Sequence, residues 1–178
     1  MLGKFIHYHL CTGYQTNFIQ MTCVNLLQST KFTEKRIAYM ALCILLDEKS
    51  EVLLLTSNSI KKDLIGNNHF IVSVALNTIG EVCTPDLCRD LNLEVIKLMS
   101  STNQYIKKKA ALAATRIIKR CPDLLESYAD KLGYYFDDKN HGVLLAGLSL
   151  AIQVFKQDPS YIEKYRKYTT VIVTFIIT

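Results

Sequence analysis

The chain has 178 residues with 21 Lys and Arg against 16 Asp and Glu, a formal net charge of +5, and an apolar share of 49% at mean hydropathy +0.14. Seven glycines and three prolines leave no flexible linker, low-complexity tract or visible domain boundary. That length holds one ordinary domain or about four to five stacked helix pairs, and the apolar share suits a helical stack or a subunit with large partner surfaces.

In chain order, helices are expected near 5–11, 17–28, 33–47, 50–64, 68–82, 85–99, 103–120, 122–136, 139–156 and 159–168. The first ten residues are interrupted by His7 and His9, so no signal peptide is expected there. Leu87, Leu91, Val95 and Leu98 recur at helical spacing, as do Ile106, Ala110, Ala113, Ala114 and Ile117. From Gly142 to Phe155 there is no charged residue, which predicts an inner helix covered on both sides. At 14 residues that stretch falls short of the roughly 20 that cross a bilayer.

Two markers repeat in step. Pro85, Pro122 and Pro159 stand 37 residues apart, each beside a turn-forming string: Thr84-Pro85-Asp86, Cys121-Pro122-Asp123 and Asp158-Pro159-Ser160. Proline suits the first helical position, where its missing N–H has no intrahelical partner, so each should restart a helix. Small-Leu pairs recur at Ala41-Leu42, Ala75-Leu76, Ala111-Leu112 and Gly147-Leu148, where a neighbouring helix must approach closely. Eight residues ahead of each small residue stand Thr33, Asn67, Asn103 and Lys139, the first three being capping residue types. Self-similarity at this period predicts an all-α solenoid of helix pairs and a binding scaffold.

Catalytic constellations are missing. His7 and His9 point apart on a helix without an acidic or sulfur ligand, and His69 and His141 sit at expected helix starts. Asp47-Glu48 and Asp137-Asp138 are adjacent carboxylates at helix ends, not a convergent pair. The phosphate-loop, dinucleotide, nucleophile-elbow and HExxH patterns are absent. Cys11, Cys23, Cys43, Cys83, Cys88 and Cys121 include no CxxC pair and are expected as reduced structural thiols. Neither an enzyme activity, a cofactor nor a metal is expected.

The basic clusters are Lys35-Arg36, Lys61-Lys62, Lys107-Lys108-Lys109, Lys119-Arg120 and Lys164-Tyr165-Arg166-Lys167. Successive helical residues fan out by about 100°, so most of these should be solvated faces. The functional alternative is a docking surface for anionic headgroups or an acidic partner. The aromatic residues are not interleaved as a nucleic-acid stacking platform would need, and no nucleic-acid partner is expected.

The strings FTEKRIAYMALCILLDE (32–48), IKKDL (60–64), PDLCRDL (85–91), YIKKKAALAA (105–114) and DDKNHGVLLAG (137–147) resemble consecutive segments of the large-subunit trunk of clathrin adaptor complexes. Among these adaptins, CRDL combined with DKNHGVL is most similar to the gamma class. The resemblance runs from about Phe18 to Lys167 and implies HEAT/armadillo-like helix pairs over 1–168. It also implies a non-catalytic scaffold subunit in vesicle-mediated protein transport. The implied partners are a small sigma subunit, a medium mu subunit, a beta large subunit, an ARF-type GTPase and a phosphoinositide membrane surface, with clathrin reached indirectly. The implied location is the cytoplasmic face of trans-Golgi and endosomal membranes.

By the same resemblance, a basic patch on the helix before a Gly-aromatic turn contacts phosphoinositide. Here that helix is Lys4 to Cys11 with Gly13-Tyr14 as the turn, which leaves Lys4 as the candidate. The family's cargo-binding arginine lies on a first helix that this chain lacks. Residues 169–178 form a β-branched, uncharged tail, expected either as a strand or as a helix imposed by packing, and suggest a shortened adaptin product. The alternatives are an unrelated helical-repeat scaffold, such as a tetratricopeptide or importin-like array, an all-helical enzyme, and a non-functional adaptin fragment.

Overall fold

Alternating apolar faces at helical spacing fold here into paired helices, and the described residues contain no strand. The computed structural model describes residues 1–13, 17–45, 52–82, 84–170 and 172–173. Tyr14, Asp47, Glu48, Cys83 and most of the tail lie outside the described residues. The chain divides into two compact units, Met1–Leu91 and Asn92–Thr178.

In the first unit, α1 (Leu2–Thr12) ends at Gly13, whose φ of 70° places its N–H on the His9 carbonyl. A left-handed residue at this position favours glycine, which has no Cβ to clash. A single 3-10 turn, Asn17–Ile19, leads into α2 (Gln20–Leu27), followed by α3 (Phe32–Leu45), α4 (Val52–Ile65) and α5 (His69–Val82). α3 packs against both α1 and α5, while α2 packs on α3 and α4, and α4 on α5. The result is two layers of helices. α6 (Pro85–Met99) begins in the first unit and ends in the second.

The second unit repeats the scheme. α7 (Gln104–Arg120) and α10 (His141–Gln157) lie along each other. Packed on them are a 3-10 turn (Pro122–Leu124), α8 (Leu125–Ala129), α9 (Gly133–Phe136) and α11 (Tyr161–Tyr165), with a final 3-10 turn at Arg166–Tyr168.

The small-residue marker matches close packing. Ala41, Ala75 and Ala111 are fully buried, and a Cβ added to Gly147 would come 2.5 Å from Tyr135 Cβ. α10 therefore touches α9 at a distance that only glycine permits.

The restart marker is met in part. Pro85 is the first residue of α6, and Thr84 Oγ1 accepts from the Leu87 N–H at 3.4 Å. Pro122 opens a 3-10 turn rather than an α-helix, and the single helix expected over 122–136 is broken by 3-10-type bonds such as Leu132 N–H to Ala129 O. Pro159 sits in a turn; α11 starts two residues later, after Asp158 Oδ1 has accepted from the Ser160 N–H.

One expected cap shifts by one residue. Asn68, not Asn67, accepts from the Phe70 N–H, while Asn140, next to Lys139, caps α10 by accepting from the Gly142 and Val143 N–H groups. Thr33 falls inside α3, while Asn103 caps α7 as expected, accepting from the Tyr105 N–H at 2.9 Å.

α10 departs most from expectation. Its uncharged surface is not covered all round, because Leu145 is 56% and Ile152 55% exposed. In the tail, Thr169, Thr170, Ile172 and Val173 have helical backbone, and Thr169 and Ile172 line an apolar hollow with Phe155 and Ile162. Packing against α10 and α11 thus overrides their β-branched propensity.

Candidate partner-docking surface

Neither α7 (QYIKKKAALAATRIIKR) nor α10 (HGVLLAGLSLAIQVFKQ) contains a carboxylate. The helices run parallel, their starts tied by Asn140 Nδ2 donating to Gln104 Oε1 at 2.8 Å. Their buried residues include small ones, Ala110, Ala111 and Ala114 on α7 and Ala146, Gly147 and Ala151 on α10, beside larger ones such as Ile106, Ile117, Leu150 and Val154. The outward faces carry bulk as well. Tyr105, Leu112 and Arg116 are exposed and Lys109 half-exposed, at i, i+7, i+11 and i+4 of one α7 face; Leu145, Ser149, Ile152 and Lys156 follow the same spacing on α10. Between the rows runs a groove of about 420 Å³ lined by residues that include Tyr105, Leu112, Leu145, Ala146 and Ser149.

Cations frame this groove. Lys109 Nζ lies 5.9 Å from the Tyr105 ring centroid. The stem of Lys108 crosses the first turn of α10, where a Cβ on Gly142 would meet Lys108 Cδ at 2.9 Å. Lys108, Lys109, Arg116, Lys119 and Lys156 make no ion pair among the described residues. Lys107 points the other way, donating to Asp138 Oδ2 at 2.7 Å and to the Tyr134 carbonyl at 2.6 Å. The three adjacent lysines therefore fan out, as helical geometry requires. Burial pushes the Asp138 carboxyl pKa up, but the Lys107 ammonium and backbone N–H donors more than offset it and hold it below the usual carboxylate range.

Other candidates fall elsewhere. Lys4 is exposed on α1 with Tyr8 and Cys11 along the same face, and α1 carries no second Lys or Arg. His7 Nε2 lies 3.6 Å from Cys11 Sγ, but among the described residues no three His, Cys, Asp or Glu are grouped to hold a metal. Cys23, Cys88 and Cys121 are buried free thiols, and burial pushes Cys23 up to about 11. None of the described helices is long and apolar enough to cross a membrane.

One polar cluster escaped the sequence reading. Lys35, assigned to a surface basic pair, is instead buried at 8% exposure, with Nζ 2.6 Å from both Asp63 oxygens and 2.8 Å from the Leu27 carbonyl. Tyr39 donates to Asp63 Oδ2 at 2.7 Å, and burial beside that carboxylate pushes the phenol well above its ordinary pKa. The available signal was spacing: Lys35 and Tyr39 flank buried Ala38 on the apolar face that continues to Leu42.

Paired helices, with no strand among the described residues, define an all-α helical-repeat fold. Residues 4–176 match the Adaptin N terminal region, and the chain belongs to the adaptin family. It is 39% identical over 175 residues to the AP-1 complex subunit gamma of Dictyostelium discoideum, covering 98% of this chain and 19% of that one. It is 42% identical over 169 residues to the AP-1 complex subunit gamma-2 of Arabidopsis thaliana, covering 95% and 20%. The fold is similar to a subunit in a homology model of the full-length AP-3 complex in an intermediate open conformation. That match has a TM-score of 0.82 and 26% identity, covering 97% of this chain and 30% of that one. The chain thus spans about a fifth of the length of the gamma relatives it matches.

Proposed function

We propose that the chain acts as the N-terminal trunk portion of an adaptor-complex large subunit of the gamma class, a scaffold that binds rather than catalyses. The observation that carries this is similarity along 98% of the chain to an AP-1 gamma subunit, on a framework whose helices expose an apolar-basic face. The partners are the sigma, mu and beta subunits, with an ARF-type GTPase recruiting the assembly to trans-Golgi and endosomal membranes and clathrin reached indirectly. Lys4, exposed on α1, contributes a weak phosphoinositide contact.

Co-expression with a small sigma subunit, affinity purification and sizing test the reading. A stoichiometric complex supports it; a folded chain that ignores sigma, mu and beta subunits overturns it. For Lys4, vesicles carrying phosphoinositide should bind the chain less well after Lys4→Ala and at high salt. Binding unchanged by both refutes that contact.

A further inference from the structure

We propose that the α7/α10 groove receives an acidic amphipathic helix from a partner protein. This deepens the scaffold reading, on which it rests for the existence of a partner, by stating the chemistry of what docks. Charge complementarity selects the occupant: both helices lack carboxylates, and Lys108 and Lys109 line the groove. Lys108 crosses the start of α10, while Arg116 and Lys156 lie exposed toward the far ends of α7 and α10. An acidic partner gains on-rate and register from such a frame.

The floor selects the shape. Leu112 and Leu145, which line the groove, are 47% and 56% exposed, apolar area that an aqueous anion alone would leave wet. A helix laid into a groove buries residues at i, i+3 or i+4 and i+7, the periodicity of the two rows that line this one. A flat bilayer meets the lysines before it reaches apolar groups set between them. A nucleic acid would satisfy the cations and leave the leucines unused. The anchors are also separable from the fold, because Leu145 is exposed and Lys109 half-exposed, and neither is among the buried residues of α7 and α10.

The experiment uses the whole 178-residue chain and a fluorescent synthetic peptide with leucines at i, i+4, i+7 and i+11 and glutamates on both flanks. A second peptide has lysine in place of glutamate, and anionic phosphatidylserine vesicles are a third probe. Anisotropy should report salt-sensitive binding of the acidic peptide alone, with hydrogen-exchange protection on α7 and α10. Leu145→Glu and Lys109→Glu should each weaken it about tenfold or more, with melting unchanged. The proposal is overturned by no binding of the acidic peptide, by equal binding of the lysine peptide, or by Leu145-dependent binding of vesicles in its place. Leu145-dependent self-association of the chain without peptide overturns it as well.

Sigma co-purification of the same variants separates the two readings. Assembly with an adaptor subunit that both variants leave intact, together with no peptide binding, sinks the groove and spares the scaffold. Groove binding by a chain that assembles with no adaptor subunit does the reverse.

Discussion

Replacing Lys35 by methionine tests the least legible part of the core. Methionine keeps most of the stem volume and removes the charge. The Asp63 carboxylate, its side chain 8% exposed, is then left with only the Tyr39 hydroxyl, and the Leu27 carbonyl loses its 2.8 Å donor. Breaking a buried pair from one side costs about 3–5 kcal/mol, because the remaining charge has been taken out of water without compensation. For a chain of this length that is a fall in Tm of about 6–20 °C. Asp63→Leu should cost a similar amount by stranding the ammonium.

The double variant separates the cause. With both charges gone the low-dielectric site holds two apolar side chains, and the remaining losses are the acceptor of Tyr39 and the donor to the Leu27 carbonyl, together about 1–3 kcal/mol. A coupling of about 3 kcal/mol or more should therefore appear in a double-mutant cycle read by urea unfolding. It should change little with salt, since a buried pair is poorly screened. The Lys164–Asp130 bridge, with side chains 55% and 59% exposed, should lose what effect it has as salt is added. A Lys35→Met cost under about 1 kcal/mol, or additive single effects, would refute the buried-pair reading.

Gly147→Ala should destabilise the second unit by about 1–2 kcal/mol in denaturant unfolding, because overpacking against the fixed Cβ of Tyr135 outweighs the helix-propensity gain; a stabilised variant would contradict the close α9–α10 contact. The Asp138 pKa is depressed in the fold, so its contribution is present above the ordinary carboxylate pKa of about 4 and lost as pH falls through the lower folded value. Asp138→Asn should flatten that part of the acid limb of stability, and an unchanged acid profile would count against the Lys107 pairing.

What could be read from the sequence is what is written locally. The bounds of α6 follow from Thr84-Pro85 at one end and a continuous apolar row inside it, and the alanines at 41, 75 and 111 mark contacts because nothing else lets two backbones approach. An expected cap slipped by one residue where two polar residues adjoin, at Asn67-Asn68. The choice there depends on which side chain reaches an N–H two residues on. Lys35 was illegible for a different reason. It stands among Glu34 and Arg36, and the carboxylate that justifies its burial is 28 residues away.

The uncharged run of α10 posed a question that composition could not decide, since a core helix and a docking face both exclude charge. The structure decides it face by face. The buried residues of α10 mix Ala146, Gly147 and Ala151 with Val143, Leu150 and Val154, and a Cβ on Gly147 would press on Tyr135 of α9. Leu145 and Ile152 nevertheless stand exposed on α10, as Leu112 does on α7. Each helix thus carries both a packed side and an open apolar row. Moving the bulk inward, as in Ala111→Leu with Leu112→Ala, should damage both at once. Changing Leu145 alone should alter only what the groove can hold.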